Sequence, residues 1–161
     1  MPTSVVSKGI GAPDFTKELR TVIYPVVSDK DSHFTEALAQ NEVEQENLTG
    51  LRGNRVRISR MSIQADQQLF FEVLLYGTSD GPQADLDTDR FVGSVQFNLP
   101  IFGFQQTTGQ WRLNIDGLDI DYVDIDGTQK IHAVLRNLSP TSKNAGATGE
   151  VKLEFSCESR A

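Results

Sequence analysis

The chain has 161 residues, a formal net charge of −7 and an isoelectric point of about 4.8. Nucleic-acid binding needs a cationic surface, so this acidic chain is not expected to bind DNA or RNA, and an anionic membrane surface is disfavoured for the same reason. Hydrophobic residues make up 38% of the chain and charged residues 23%, which indicates a globular protein without a membrane-spanning run of about 18 apolar residues. The amino terminus lacks the basic start and apolar block of a secretory signal peptide, and the single cysteine allows no intramolecular disulfide.

The first third of the chain is predicted to be an extended arm with one short helix. Residues 1–20 contain glycines, prolines and few apolar anchors, and residues 20–28 are rich in strand-forming residues that Pro25 interrupts, which is typical of an edge strand. Apolar residues at helical spacing then predict a short amphipathic helix at about residues 32–42, followed by a polar linker. We therefore assign residues 1–53 to an N-terminal arm with a helical segment.

From residue 54 onward, alternating apolar and polar residues predict an all-β domain that spans residues 54–161. The strands are predicted at residues 54–64, 69–77, 91–99, 111–115, 118–124, 128–139 and 150–158. The run at 69–77 is almost entirely apolar, which indicates a central strand, and a phase slip near Ser59 and Arg60 indicates a β-bulge. Turn residues separate the strands, including a tight turn at Asp126-Gly127, and these features predict an antiparallel, jelly-roll-like β-sandwich.

Residues 116–126 read DGLDIDYVDID and place five aspartates in eleven residues. The alternation predicts a strand whose outer face is strongly acidic. A solvated anionic face is the simplest interpretation, and a salt-bridged contact with a partner and a calcium site are the alternatives. The weak candidate calcium ligands are Asp85, Asp87, Asp89, Asp119, Asp121, Asp124 and Asp126, in two stretches that depart from the calcium-loop pattern at positions that ligation needs.

No group of residues in the sequence indicates an enzyme, and no cofactor is expected. The two histidines, His33 and His132, stand at no fixed spacing from a nucleophile, so ordinary surface or interface histidines are the simpler interpretation. Cys157 is expected to be a small buried side chain in the last strand, not a reactive thiol. Trp111 and Tyr122 fall on neighbouring predicted strands, and a carbohydrate-binding module that stacks sugars on them is the main alternative function.

An assembly protein accounts for an extended arm, a compact acidic β-domain and the lack of a catalytic group of residues. Segments that bury little surface on their own often become ordered on a neighbouring molecule. The predicted partner-binding residues are the apolar side chains of the N-terminal region: Val5, Val6, Ile10, Phe15, Leu19, Tyr24, Phe34 and Leu38.

The segment from Trp111 to Phe155 resembles the small head decoration, or cement, proteins of tailed bacteriophages. It contains WRLNIDGLDIDYVDIDG and then IHAVLRNLSPTSKNAGATGEVKLEF, which are short strands separated by loops of Ser, Thr, Asn, Gly and Ala. The resemblance implies a non-enzymatic virion protein, made in the host cytoplasm, that sits on the outer capsid surface as a homotrimer and bridges major capsid protein subunits. Another virion part, such as a tail-tube or neck subunit, is a further alternative with the same β-rich composition.

Overall fold

The computed structural model of the protein describes residues 22–28, 34–81, 90–146 and 150–159. These residues form two antiparallel sheets packed as a β-sandwich, as the alternating sequence pattern predicts. The strands are β1 (Val22–Val27), β2 (Val43–Thr49), β3 (Arg55–Ala65), β4 (Phe70–Tyr76), β5 (Phe91–Asn98), β6 (Phe104–Thr107), β7 (Gln110–Ile115), β8 (Ile120–Val123), β9 (Lys130–Asn137) and β10 (Val151–Ser159), and the one helix among the described residues is α1 (Leu99–Phe102).

One sheet has four strands in the order β2–β9–β4–β5. β4 is the almost wholly apolar run, and it lies between β9 and β5. Its register pairs Leu75 with Ala133 and Val73 with Leu135, and all four side chains are fully buried. A strand flanked on both edges and covered by a second sheet can be apolar along most of its length, so the prediction of a central strand is confirmed.

The other sheet has the order β1–β10–β3–β7–β6, and β8 also pairs with β3. β3 is eleven residues long and therefore pairs with β10 along one edge and with both β7 and β8 along the other. Two adjacent β10 residues, Ser156 and Cys157, pair with Arg60 and Ile58, so Ser59 is the extra residue of a β-bulge. The predicted bulge is confirmed, and it lets the apolar residues on both sides of it face the core.

The core lies between the two sheets. Apart from Lys143, its largest fully buried side chains are Tyr122, Phe34, Phe71, Phe97, Phe155, Leu38, Leu48, Ile58, Met61, Ile63 and Leu75. Each large apolar side chain stabilises the fold by about 1.5–3 kcal/mol relative to an exposed one. Cys157 is also fully buried, and burial raises the pKa of its thiol to about 12, in agreement with the prediction of a small core side chain.

The prediction of a helix at residues 32–42 is wrong for the part of that range that the structure describes. Residues 34–42 are not helical, and Phe34 and Leu38 form isolated β-bridges with Val151 and Lys143. A spacing of four residues is about one turn of a helix, but it is also an even number of residues along an extended chain, so both side chains face inward in either case. The spacing alone could not separate the two structures.

β1 and β2 belong to the sandwich, because β1 pairs with β10 and β2 pairs with β9. The predicted boundary between residues 53 and 54 therefore falls inside the sandwich, and the polar linker predicted after the helix is strand β2. This strand reads as polar because it lies at a sheet edge and only Glu44 and Leu48 of its seven residues are buried. The arm predicted for residues 1–20 lies outside the described residues.

Removal of residues 1–28 is expected to destabilise the protein far more than removal of residues 1–21. The longer deletion removes β1, and with it the buried side chains of Tyr24 and Val26 and the pairing with β10. Each such side chain contributes about 1.5–3 kcal/mol, so the midpoint of urea unfolding should fall clearly for the longer deletion. Equal midpoints for the two truncated proteins would contradict the placement of β1 in the sandwich.

Candidate functional site

The turn between β8 and β9 builds a compact polar cluster around Asp124. The Asp124 side chain is fully buried, and its Oδ2 atom accepts hydrogen bonds from the Thr128 amide at 2.8 Å, the Thr128 hydroxyl at 2.8 Å and the Lys130 amide at 3.0 Å. Gly127 lies in the turn with a φ of +70°, which glycine adopts without strain. The turn predicted at Asp126-Gly127 is therefore confirmed, and Asp124 fixes its shape.

The imidazole of His132 lies against this turn. Its Nε2 atom is 2.9 Å from Asp124 Oδ1 and 3.7 Å from Asp126 Oδ2, and its Nδ1 atom is 2.7 Å from Asn47 Oδ1. The His132 side chain is 1% exposed, whereas that of Asp126 is 32% exposed. The cluster is therefore enclosed at the imidazole and reaches solvent at Asp126.

Tyr122 holds the backbone of the cluster in place from the core. Its hydroxyl accepts a hydrogen bond from the His132 amide at 2.9 Å and lies 2.8 Å from the Tyr76 carbonyl and 3.0 Å from the Lys130 carbonyl. Burial raises the pKa of Tyr122, so the hydroxyl remains neutral. A residue of β8 thus connects the six-stranded sheet to β4 and β9 of the other sheet.

Asp124 is a carboxylate at neutral pH. Burial alone raises its pKa, but hydrogen bonds from His132, Lys130 and Thr128 outweigh burial and lower the pKa to about 2. Asp124, Asp126 and His132 each offer one ligand atom, and these atoms lie within 4.8 Å of one another. The arrangement can hold a proton between the imidazole and the carboxylate, or it can hold a metal cation.

The structure places two of the seven predicted metal candidates, Asp124 and Asp126, in one cluster with a histidine. The sequence interpretation treated His132 as an ordinary histidine and did not connect it to the aspartates. Asp124 follows a strand of one sheet and His132 lies in a strand of the other, so the alternation within each strand gives no sign of their contact. The turn residues at 126–127 were the one local signal that β8 and β9 lie close to each other.

Asp119 and Asp121 lie instead beside arginines of the neighbouring strand β3. Arg55 Nη2 is 2.8 Å from Asp121 Oδ2, and Arg57 Nε is 2.6 Å from Asp119 Oδ1. The face that reads as anionic in the segment 116–126 is therefore an outer surface of alternating charges. Arg55 and Arg57 are more than sixty residues earlier in the chain, so only the pairing of β8 with β3 reveals the compensation.

Several predicted residues lie outside the described residues: Asp85, Asp87, Asp89, Val5, Val6, Ile10, Phe15 and Leu19. The remaining predicted partner-binding residues, Tyr24, Phe34 and Leu38, are buried in the core. Their side chains pack within the sandwich and do not face a partner. The exposed apolar valine and isoleucine side chains of β1 are Val22, Ile23 and Val27.

Trp111 and Tyr122 do not form a common stacking surface. Trp111 pairs with Ala65 at one end of β3, and Tyr122 pairs with Val56 near the other end. Nine residues of strand separate these positions by about 30 Å, and Tyr122 is fully buried. The prediction that these two aromatic side chains share a sugar-binding face is therefore wrong.

A second polar cluster is buried beneath residues 34–38. The Glu44 carboxylate accepts hydrogen bonds from the amides of Thr35 at 3.1 Å and Glu36 at 2.9 Å. The fully buried Lys143 donates to the Glu36 carbonyl at 2.6 Å, and burial lowers the pKa of its amine. Burial, followed by the hydrogen bond and the charge of Glu44, raises the pKa of Glu46 to about 7.

Two kinds of surface feature stand out on the outside of the sandwich. A cleft on the six-stranded sheet has a volume of about 50 Å³ and is lined by residues that include Ser62, Arg112 and Glu154. This volume is far below the roughly 300–1,000 Å³ of pockets that enclose drug-sized ligands. In contrast, the segment Leu99–Phe104, which we call the apolar tip, presents Ile101 at 69% and Phe102 at 68% exposure.

No protein-family model, curated protein or solved structure matches the chain. Within the described ranges, no helix has the length and apolar character needed to cross a bilayer.

The substitution Asp124→Ala is expected to lower the free energy of unfolding by about 3–5 kcal/mol, because it removes a buried carboxylate on which several hydrogen-bond donors converge. It leaves the donors of the turn and of His132 without their acceptor. The matched control Asp121→Ala breaks an exposed ion pair and should change stability little. Urea unfolding followed by the fluorescence of Trp111 measures both, and similar losses for the two variants would contradict the structural role of Asp124.

The substitution Glu46→Gln is expected to stabilise the protein at pH 8 and to leave its stability at pH 4.5 nearly unchanged. The pKa of Glu46 is about 7 in the folded protein against 4.5 ordinarily, so the free energy of unfolding falls as the pH rises between these values. Glutamine cannot ionise and removes this loss. Thermal unfolding across this pH range measures the effect, with the surface variant Asp119→Asn as control. A pH dependence that persists in Glu46→Gln would assign it to another group.

Proposed function

We propose that this protein functions by adhesion, as a non-enzymatic structural subunit that attaches to a larger assembly. The assembly we propose is the capsid of a tailed bacteriophage, on whose outer surface the protein would bridge major capsid protein subunits. The observation that carries the proposal is the apolar tip, where large hydrophobic side chains project into solvent from a rigid β-sandwich.

The apolar tip is held in one conformation by its own backbone. The Gly103 amide donates a hydrogen bond to the Leu99 carbonyl at 3.0 Å, and Leu99 is fully buried and anchors the tip to the core. A Cβ atom at Gly103 would lie 2.7 Å from the Leu99 carbonyl oxygen, so the tight turn requires glycine. The tip is therefore pre-formed, and a contact made by it costs little ordering entropy.

The area of the tip fits a contact surface. A phenylalanine or isoleucine side chain of roughly 150–200 Å² that is half to two thirds exposed leaves about 100 Å² of apolar surface, and Ile101, Phe102 and Phe104 all meet this description. Together they present about 300 Å², the size of the largest apolar patch on a typical monomer, which is often functional. Covering the patch with another protein would remove this surface from water.

The edge strand β1 supports the same function. β1 pairs with β10 on one side and ends the described order of its sheet, and its exposed side chains include the apolar Val22, Ile23 and Val27. Pro25 lies within β1, which is tolerated at a sheet edge because proline has no amide to donate. An exposed edge strand can accept an extended segment of a partner, and residues 1–21 directly precede it.

The identity of the assembly rests on the sequence resemblance and on charge. The net charge of −7 agrees with a position on the outside of a shell, because a genome-facing protein would usually be basic. The partner in this proposal is the major capsid protein, and the protein is a homotrimer. Neither nucleic acid nor a membrane is a partner in the proposal.

The double substitution Ile101→Ser with Phe102→Ser is expected to abolish attachment while leaving the thermal unfolding midpoint unchanged within a few degrees. Both side chains are already in water in the isolated subunit, so their loss affects only the contact. Co-sedimentation with capsid shells that lack the decoration protein measures attachment, and native mass spectrometry measures the oligomeric state. The control pair Thr107→Ser with Thr108→Ser lies at the last residue of β6 and the residue after it, and should attach normally.

Three outcomes would contradict parts of the proposal. A wild-type protein that stays monomeric and does not sediment with shells would overturn it. Rings or tubes much larger than a trimer would favour a tail-tube or neck subunit. Attachment that survives the double substitution but is lost on removal of residues 1–21 would move the contact from the apolar tip to the N-terminal segment.

A further inference from the structure

We propose that Asp124, Asp126 and His132 form a binding site for a divalent first-row transition-metal ion such as Zn²⁺. His132 Nε2, Asp124 Oδ1 and Asp126 Oδ2 are the three ligand atoms. The proposal concerns a site at the turn between β8 and β9 and is independent of the capsid contact proposed for the apolar tip.

The hydrogen bond on the far side of the imidazole directs Nε2 at the carboxylates. His132 Nδ1 lies 2.7 Å from the Asn47 side-chain oxygen, which is an acceptor, so Nδ1 carries a proton. Nε2 then faces Asp124 Oδ1 at 2.9 Å, where it donates a hydrogen bond in the metal-free protein. A metal ion would take the place of the Nε2 proton between these two buried side chains, and that proton would be released on binding.

Both separations from His132 Nε2 suit one metal ion, and the three ligand atoms lie within 4.8 Å of one another. For an ion about 2.1 Å from each ligand atom, separations of 2.9 Å and 3.7 Å correspond to ligand–metal–ligand angles of about 90° and about 120°. These angles fall within the range of four- to six-coordinate sites. One imidazole nitrogen with two carboxylate oxygens is a donor set that suits Zn²⁺ better than Ca²⁺, which prefers oxygen alone.

Each ligand residue is oriented by at least one hydrogen bond from a residue outside the three. Asn47 orients the imidazole through Nδ1, and the Thr128 amide and hydroxyl orient Asp124 through Oδ2. The Ser79 amide donates to Asp126 Oδ2 at 2.8 Å. Outer hydrogen bonds of this kind fix the orientation of metal ligands and raise their affinity, so the site needs little rearrangement to accept an ion.

The site is open on one side. The Asp126 side chain is 32% exposed, while the side chains of Asp124 and His132 are buried. An ion can therefore enter past Asp126, and water can occupy its remaining coordination positions. Asp126 also offers a test that spares the fold, because asparagine retains an oxygen that accepts the Ser79 hydrogen bond but loses the negative charge.

Calorimetric titration of the chelator-treated, untagged full chain with ZnCl₂ tests the proposal. The wild-type protein should bind one Zn²⁺ with micromolar or tighter affinity, and Asp126→Asn should weaken binding at least tenfold while its unfolding midpoint is retained. The control Asp121→Asn removes a carboxylate that is 60% exposed, against 32% for Asp126, and should bind as the wild type does. Equal affinity of Asp126→Asn and the wild type for Zn²⁺ would overturn the proposal. The absence of binding by the wild-type protein at Zn²⁺ concentrations up to about 100 μM would also overturn it.

Nuclear magnetic resonance of the imidazole nitrogens separates a metal ion from a proton as the occupant. On addition of one equivalent of Zn²⁺, the Nε2 resonance of His132 should shift to a metal-bound value while that of His33, the other histidine of the chain, stays unchanged. A His132 ring that is protonated at both nitrogens and unaffected by Zn²⁺ would identify the proton as the occupant and overturn the metal site.

Discussion

The arrangement of the two sheets at this end of the sandwich depends on the hydrogen bonds of Asp124, whose carboxylate is buried. The backbone amide of Asp124 donates to the Asn54 carbonyl at 2.7 Å, just before β3 of the six-stranded sheet. The Asp124 side chain accepts hydrogen bonds from Lys130 and His132 in β9 of the other sheet. A buried charge is tolerated only where several donors compensate its lost hydration. Asp124 meets this requirement by drawing the start of β9 toward the end of β8.

Two further properties follow from this constraint. The turn that Asp124 shapes carries Asp126 to a position beside the imidazole, so the proposed metal ligands converge because the fold already needs the turn. Tyr122 adds a neutral crosslink from β8 to the backbone of the four-stranded sheet. The polar groups of this end are directed inward to one another, whereas the opposite end of β5 leads into the apolar tip, whose side chains face solvent.

The local pattern was sufficient for some elements and misleading for others. The run at residues 69–77 and the phase slip at Ser59 were interpreted correctly, because burial on both faces and an extra residue each leave a direct trace in the alternation. The segment after Phe34 was assigned to a helix, since side chains four residues apart share a face in a helix and in an extended chain alike. β2 was predicted to be a linker because a strand at the edge of a sheet can have a mostly polar sequence.

The candidate site shows the same division. Asp124 and Asp126 were recognised as metal candidates among seven aspartates, but nothing in the local sequence distinguished them from Asp119 and Asp121, which the arginines of β3 neutralise. His132 was not associated with them, and the stacking surface expected from Trp111 and Tyr122 does not exist. Each of these outcomes depends on which strands become neighbours, and strand pairing joins residues far apart in the chain.

The sequence by itself determined the fold class, the central strand, the bulge and the turn after β8, because hydrophobic alternation and turn residues act over a few neighbouring positions. Only the tertiary structure decided which aspartates are paired with arginine, which pair meets a histidine, and which apolar side chains remain outside the core. Those decisions arise from the register between strands and from the packing of one sheet on the other, and no local pattern contains that information.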